Sequence, residues 1–351
     1  MMRTLSSRIN TWLRLGAASL LFGLSALPAG AASESLTLYT TREPGLIKPL
    51  LEGWSQQSGV QVNTVYIKDG MLERLKAEGA NSPADLLMTV DAGNLLDLVE
   101  AGVTQPVNSA TLIQAIPANL RGSDNQWFAL SMRARVLYIA KDLPSGAIQY
   151  EDLAKPEWSK RICMRSGQHP YNTALVAAMI AHQGEAKTEQ WLRALKANLA
   201  RKPTGGDRDV ARDILGGICD IGIANSYYVG HLKNAKPGSD ARQWGEAINV
   251  IKPTFATGGT HVNISGAAVA RHAPNRQAAV QLMEYLVSPE AQQRYARANY
   301  EYPVRQGVGV ELDPVIAQTI GTITPDPLPL TEIVKQRKQA SLLVDKVGFD
   351  Q

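Results

Sequence analysis

Three tyrosines are the residues of this chain best suited to chemistry. Tyr227 and Tyr228 are adjacent, and Tyr171 lies upstream in a similar position, in a loop just before a helix. Phenolate is a hard oxygen donor, which highly charged cations prefer to sulfur or neutral nitrogen. Coordination to such a cation can remove the proton from a phenol whose ordinary pKa is about 10. Three phenolates could therefore bind Fe³⁺, although a tyrosine pair taken alone can simply end a strand and pack.

The first 32 residues have the layout of a secretory signal peptide. Arg3, Arg8 and Arg14 form a basic region, residues 15–27 are apolar, and residues 29–32 are small enough for a cleavage site. The apolar stretch is too short for a stable membrane anchor, so we expect an exported chain. Removal of the three arginines lowers the formal net charge from +4 to +1, and the charge then gives no argument for nucleic-acid binding.

The rest of the 351-residue chain exceeds what one hydrophobic core usually holds, so two domains are expected. Cys163 and Cys219 are the only two cysteines, and export would place them where disulfides persist. Each lies in or beside a short apolar stretch with the pattern of a strand, and neighbouring strands could bring them together. We predict one disulfide, with two buried free thiols as the alternative.

Strands and helices alternate in the first part of the chain. Residues 36–40, 60–65 and 85–90 have the pattern of strands, and apolar residues recur at helical spacing after the first of them. Gly59 is predicted to end that first helix. This order predicts an α/β fold with an open, mostly parallel sheet whose ligands bind beyond the carboxyl ends of the strands.

A second unit repeats this order further along the chain. Residues 127–130 and 133–139 are predicted extended segments that lead into it, and its own strands are predicted at 161–165 and 219–224. Tyr171 follows the first of these two strands and the tyrosine pair follows the second. All three phenols are therefore expected at the edge of the sheet where a ligand would bind.

Long motifs lie along nearly the whole exported chain, at residues 80–85, 89–91, 133–136, 165–166, 171–172, 224–228, 259–266 and 299–304. These motifs and their order resemble those of periplasmic ferric-iron-binding proteins of ABC transporters. The resemblance implies a two-lobed periplasmic-binding-protein fold, type II-like, in which two crossover strands form a hinge. It also implies lobes of residues 34–132 plus 258–306 and 133–257 plus 307–351, with residues 1–32 as the signal peptide.

The resemblance implies that Tyr171, Tyr227 and Tyr228 are iron ligands, because they match the family's tyrosine triad. The ligands of the first lobe do not match: relatives have a His-Tyr pair or a histidine where this chain has Arg42-Glu43-Pro44. Glu43 could itself bind the metal, since carboxylate is also a hard donor, or it could be a solvated acid in a turn. Because of this mismatch, the sequence does not predict how tightly the two lobes close on the metal.

Three phenolates fill only half of an octahedron, and Glu43, water or a small anion such as carbonate would complete it. Arg42 and Arg133 are the candidate anion-binding residues because a guanidinium offers fixed charge and paired donors. A structural salt bridge is the alternative for each arginine. His261 is predicted to be a hydrogen-bonded strand residue, whereas His169 beside Tyr171 is the better candidate to support the metal ligands.

The sequence thus predicts a monomeric periplasmic protein that captures Fe³⁺, delivers it to an inner-membrane ABC permease and catalyses no reaction. A binding protein for a small organic or inorganic anion is the main alternative, with the tyrosines stacking and the arginines neutralising charge. An iron-tyrosinate dioxygenase is a weaker one, because such enzymes usually place two histidines near the tyrosines and the five histidines here are not clustered in that way.

Overall fold

A computed structural model describes residues 35–144, 146–305 and 310–351. The predicted signal peptide at residues 1–32 lies outside these ranges. Among the helices in these ranges, none combines the length and the apolar character needed to cross a membrane.

The described residues form nine strands, which belong to two sheets that share one long strand. Their bounds are β1 (Ser35–Thr40), β2 (Gln61–Tyr66), β3 (Leu86–Thr89), β4 (Thr104–Gln105), β5 (Phe128–Ala140), β6 (Ile162–Cys163), β7 (Ile221–Asn225), β8 (Ile248–Ile251) and β9 (Val262–Ala270). The first sheet contains β1 to β4, β9 and the first half of β5. The second contains the other half of β5 with β6, β7 and β8.

Fourteen α-helices cover the sheets within the same ranges. Their bounds are α1 (Pro44–Ser58), α2 (Met71–Glu78), α3 (Ala92–Glu100), α4 (Ala110–Ala115), α5 (Pro170–Gln183), α6 (Glu185–Ala197), α7 (Asp207–Leu215), α8 (Tyr227–Lys233), α9 (Asp240–Glu246), α10 (Arg276–Leu286), α11 (Pro289–Asn299), α12 (Pro314–Thr319), α13 (Leu330–Val334) and α14 (Arg337–Val347). Short 3₁₀ turns lie at Gly79–Asn81, Ala118–Leu120, Glu151–Ala154 and Pro156–Trp158.

The prediction of a mostly parallel sheet is wrong. Only β1 with β2, β1 with β3, and β6 with β7 pair in parallel, whereas every pair made by β5 or β9 is antiparallel. The strand–helix–strand order does produce the parallel pairs. It does not reveal where the two long buried strands return, because that is decided by contacts between residues far apart in the sequence.

Strand β5 carries the chain from one sheet to the other. Its residues up to Ala134 pair with β9, and from Arg135 onwards it pairs with β7. Nearly all of β5 is buried, and the strand covers most of the two segments predicted to be extended, 127–130 and 133–139. The chain crosses back just before β9, where the backbone nitrogen of Arg135 donates to the carbonyl of His261. Two neighbouring segments therefore connect the sheets, which is the arrangement expected of a hinge.

Local sequence signals fix several element ends. Pro44 starts α1, where a missing backbone N–H costs nothing, and Gly59 ends it with a left-handed φ of 76° that glycine adopts without strain. Asp91 caps α3 by accepting a hydrogen bond from the backbone nitrogen of Asn94 at 3.1 Å. The strands predicted at 161–165 and 219–224 are shorter or shifted, and appear as β6 and β7.

A disulfide joins Cys163 and Cys219, as the sequence predicts. Cys163 ends β6, Cys219 lies two residues before β7, and the two strands are parallel neighbours. The bond closes a loop with a sequence separation of 56 residues. It therefore fastens the chain on both sides of the segment that carries Tyr171.

Candidate metal-binding cleft

The three tyrosines lie together at the carboxyl ends of β6 and β7. Tyr171 is in the first turn of α5, which follows β6, and Tyr227 and Tyr228 begin α8, which follows β7. Because β6 and β7 are parallel, both helices start at the same edge of the sheet. The phenol oxygens of Tyr171 and Tyr227 are 3.3 Å apart, and the rings of Tyr227 and Tyr228 lie 4.2 Å apart between centroids.

Asp207 connects the two segments that carry the tyrosines. Its Oδ2 accepts hydrogen bonds from the Arg135 guanidinium at 2.6 Å and from the backbone nitrogen of Asn225 at 2.8 Å. Arg135 in turn donates to the side chain of Asn172, the residue after Tyr171. This buried network fixes the end of β7 relative to the start of α5. It therefore also fixes Tyr227 and Tyr228 relative to Tyr171.

The residue before the tyrosine pair is anchored to β5. Ser226 donates its backbone N–H to the carbonyl of Ala134 at 2.9 Å, and its hydroxyl accepts from the backbone nitrogen of Ala134 at 3.1 Å. Ser226 is fully buried. The tyrosine pair is thus held at the point where β5 passes from one sheet to the other.

Positive charge surrounds the phenols. The guanidinium carbons of Arg133, Arg135 and Arg165 lie 5.4, 5.9 and 5.3 Å from the centre of the Tyr171 ring, and that of Arg208 lies 5.2 Å from the Tyr228 ring. These cations favour the ionised phenolate over the neutral phenol.

Burial acts against ionisation until a cation arrives. It raises the pKa of Tyr227 well above its ordinary value, and the neighbouring Tyr171 and Tyr228 add to the shift because a second phenolate nearby would repel the first. Burial also raises the pKa of Tyr228, with further contributions from Tyr171 and Asp207. The free protein therefore holds these phenols protonated at neutral pH, and a bound cation would have to displace their protons.

The tyrosines line a cleft with a volume of about 240 Å³. The opposite wall comes from the first sheet and includes Glu43, Tyr66 and Val90. Glu43 is exposed, precedes α1, and does not use its carboxylate to cap that helix. It faces the same space as the phenols.

Arg42 also lines the cleft, but it is held by structural partners. Its Nη2 lies 3.0 Å from Glu301 in a buried salt bridge and also donates to Ser265. This pairing corresponds to the alternative that the sequence left open for Arg42. A role in anion binding stays a prediction for this residue.

Arg133 differs from Arg42 in which guanidinium nitrogen is unpaired: a terminal nitrogen in Arg133, but Nε in Arg42. Nη2 of Arg133 donates to the carbonyl of Val90, whereas its buried Nη1 has no hydrogen-bond partner among the described residues. A buried donor without a partner costs free energy. An anion in the cleft would satisfy it.

The histidines differ in their relation to the cleft. His261 is buried where the sheets join and does not line it, and burial followed by the charge of Arg135 lowers its pKa to about 3. His169 caps α5, where its Nδ1 accepts from the backbone nitrogen of Tyr171 at 3.3 Å. Burial and the charge of Arg165 lower the pKa of His169 to about 4, so it stays neutral and can accept that bond at neutral pH.

The lining residues that were not predicted from the sequence include Arg208, His231 and Glu301. His231 could have been found, since it lies one helical turn after Tyr227 on α8. Burial and the charge of Arg208 lower its pKa. Glu301 gave no local signal, because its position depends on the distant Arg42.

No group of three or more histidine, cysteine, aspartate or glutamate residues that could hold a metal ion is present in the part of the chain that the structure describes. The tyrosine cleft is a candidate site of a different kind, because its donors are phenols.

Comparison with known proteins identifies similar chains. A family model described as "Bacterial extracellular solute-binding protein" matches residues 81–322. Iron uptake protein A2 of Synechocystis sp. is 39% identical over 325 residues, which cover 92% of this chain and 92% of that protein. A Bordetella ferric binding protein has 66% identity and a TM-score of 0.86, covering 91% of this chain and 100% of that one. A Trichodesmium protein solved in complex with iron and citrate ligands has 39% identity and a TM-score of 0.84, covering 90% and 99%.

Proposed function

Because this chain belongs to the family of bacterial extracellular solute-binding proteins, we propose that it captures ferric iron in the periplasm and delivers it to an inner-membrane ABC permease. Its fold is the two-lobed binding-protein fold of the ferric binding proteins that it resembles. It acts as a monomer, is exported by the signal peptide at residues 1–32, and catalyses no reaction.

The convergence of three phenols carries this proposal. Tyr171, Tyr227 and Tyr228 come from two helix starts and meet at one point, with two of their oxygens 3.3 Å apart. Without a metal, burial and the neighbouring phenols oppose the ionisation of Tyr227 and Tyr228. Fe³⁺ reverses that balance, because three phenolates match its charge and are the hard donors that it prefers.

The charge of the site supports binding of an anion together with iron. Three phenolates already neutralise Fe³⁺, and Arg133, Arg135, Arg165 and Arg208 surround them. Carbonate or another oxyanion could occupy a metal position and accept from the unpaired Nη1 of Arg133. Glu43 is the candidate ligand from the opposite wall, and Arg42, which is paired with Glu301, is the second candidate anion-binding residue.

Closure of the cleft would complete the site. We assign residues 34–132 plus 258–306 to one lobe and 133–257 plus 307–351 to the other, with the two connecting segments near Ala134 and His261 as the hinge. The tyrosines then belong to the second lobe and Glu43 to the first. Iron would bind to the phenols first and gain its remaining contacts when the lobes close.

An absorption spectrum tests the proposal. The purified protein, titrated with ferric citrate and desalted, should turn red to orange through phenolate-to-iron charge transfer and should retain iron in metal analysis. A protein that stays colourless and retains no iron would contradict ferric binding.

The unpaired Nη1 of Arg133 favours one second candidate, a binding protein for a small anion. In that case the arginines would neutralise the ligand, and the tyrosines would stack against it or donate hydrogen bonds. Binding of citrate by the iron-free, colourless protein, with no iron retained, would support this candidate instead.

A further inference from the structure

A second cavity lies beside the tyrosine cleft, between helices α3, α5, α13 and α14. It has a volume of about 840 Å³. One ion pair crosses it: Nη1 of Arg337, at the start of α14, lies 2.9 Å from Oδ2 of Asp97 on α3. Nη2 of the same guanidinium lies 3.2 Å from Oδ1 of Asn94. Neither Arg337 nor Asp97 lines the tyrosine cleft.

Gly93 leaves open the space that the Arg337 guanidinium occupies. A Cβ atom on Gly93 would lie 2.3 Å from Cζ of Arg337, which is far closer than atoms can approach. Gly93, in the first turn of α3, therefore leaves room for a guanidinium that any other residue would displace.

Helix α14 is fastened to the loop that carries Tyr171. The Ser341 hydroxyl donates to Oε1 of Gln168 at 2.8 Å, and Gln168 Nε2 donates to Asp345 at 2.7 Å. Asp350, just beyond the helix, accepts from the backbone nitrogen of Gly167 at 2.7 Å. Arg337 is thus connected through α14 to the tyrosine wall of the cleft.

Helix α3 is fastened to the opposite wall. Its cap residue Asp91 accepts from Nδ2 of Asn263 on β9 at 2.8 Å. Asp91 directly follows Val90, which lines the cleft and accepts a hydrogen bond from Arg133. Asp97 is therefore connected to the first sheet, on the other side of the cleft from Arg337.

We propose that Arg337 and Asp97 form an ion-pair latch that holds the two walls of the cleft together and slows iron release. Opening of the lobes moves α3 away from α14 and breaks the pair, so the latch favours the closed arrangement whether or not iron is bound. The effect on iron release rests on the proposed function, whereas the effect on closure rests only on the assignment of α3 and α14 to different lobes.

The expected size of the effect follows from the exposure of the pair. The side chains of Arg337 and Asp97 are 26% and 47% exposed, so water and salt weaken their attraction. Pairs of this kind contribute little individually, and loss of the latch should accelerate iron dissociation by about two- to fivefold. Because exposed charges are screened, the difference should shrink at high ionic strength.

The test compares the full-length mature protein with Arg337→Gln, Asp97→Asn and the double variant. Iron dissociation into excess chelator is followed by loss of colour at low and at high salt, and the radius of gyration of the iron-free protein is measured by small-angle X-ray scattering. Each single variant should release iron faster and have a larger radius of gyration. The double variant should match the single ones, because all three lose the same interaction.

Two further variants make the test specific. Gly93→Ala keeps both charges but displaces the guanidinium, so it should behave like Arg337→Gln. Arg294→Gln removes a pair of similar exposure within α11, 2.8 Å from Glu290, that does not cross the cavity. It should leave both the dissociation rate and the radius of gyration unchanged.

Unchanged dissociation rates and an unchanged radius of gyration in Arg337→Gln and Asp97→Asn would overturn the latch. If the unaltered protein binds no iron, the proposed function fails, and the radius of gyration alone then decides whether the latch exists. The colour of the iron complex should be the same in all variants, because the phenols are untouched.

Discussion

At the scale of single residues, the phenols and Glu43 differ in what could replace them. Tyr227 and Tyr228 are partly enclosed by each other, by Tyr171 and by the surrounding arginines. Glu43 is exposed at the rim, where water or an anion could take its place on a metal. The loss of a phenolate therefore leaves a charge deficit that solvent cannot easily fill.

Tyr227→Phe or Tyr228→Phe should lower iron affinity far more than Glu43→Ala. Replacement of residues that only orient metal ligands typically costs 10–100-fold in affinity, so loss of a phenolate ligand should cost more than about 100-fold. Competition against citrate measures the order of the variants.

Tyr66→Phe is the matched control, because Tyr66 lines the same cleft at 42% exposure but is not part of the triad. It should bind iron like the unaltered protein. Equal losses for Glu43→Ala and the two tyrosine variants would show that Glu43 binds the metal directly.

Residue chemistry made the tyrosine triad visible in the sequence, because phenols at strand ends are a local signal. The supporting residues were not visible in this way. Asp207 and Glu301 are ordinary acids in the sequence, and each acquires its role only when a distant arginine, Arg135 or Arg42, is brought against it. For the same reason, the sequence did not decide between an anion-binding and a structural role for Arg42.

At the scale of elements, the parallel pair β6 and β7 matters most for the site. The order of strand, loop and helix predicted that Tyr171 and the pair would share one edge of a sheet, and the structure agrees. The antiparallel pairing of β5 and β9 was not predictable from such local order. Both strands are buried almost throughout, so neither shows an alternation of buried and exposed residues, and their sequences do not indicate their partners.

Asp207→Asn should both destabilise the protein and weaken iron binding. The substitution keeps the shape of the side chain but leaves the buried Arg135 without its counter-charge, and loss of one partner of a buried pair typically costs about 3–5 kcal/mol. Urea unfolding measures the loss of stability. Competition against a chelator measures the loss of iron affinity that is expected when α5 and α8 are misaligned.

Glu189→Gln is the control for this prediction. Its carboxylate pairs with Arg193 and Lys346 at the surface, where ion pairs contribute at most about 1 kcal/mol. A comparable loss in the two variants would mean that the buried network does not hold the tyrosine segments together.

At the scale of the whole molecule, the junction of the two sheets links stability to pH. His261 is buried beside Arg135 where the chain crosses between the sheets, and neither of its ring nitrogens has a hydrogen-bond partner among the described residues. Burial, followed by the charges of Arg135 and Arg133, lowers its pKa to about 3. The folded protein therefore keeps this ring neutral, whereas the unfolded chain takes up a proton near pH 6.5.

The free energy of unfolding should fall as the pH drops below about 6.5, because His261 then binds a proton only in the unfolded state. The contribution is fully present above the unfolded pKa and is lost progressively towards the folded one. Between pH 7 and pH 5 it amounts to ~2 kcal/mol. Urea unfolding at both pH values should show a smaller pH dependence in His261→Asn than in the unaltered protein, and the exposed His272→Asn should leave it unchanged.

Iron affinity should fall steeply as the pH drops, for a different reason. Burial and the neighbouring phenols raise the pKa of Tyr227 and Tyr228, so both are protonated before iron binds and must release their protons to become ligands. Affinity should therefore rise with pH by up to about tenfold per pH unit for each proton released. Competition against a chelator of known protonation, measured between pH 5 and pH 8 under conditions where unfolding curves show a folded protein, separates this effect from that of His261. Arginines stay charged throughout that range, so a cleft that held only an anion would show an affinity that does not change with pH. An iron affinity that does not change with pH would therefore count directly against coordination by the three tyrosines.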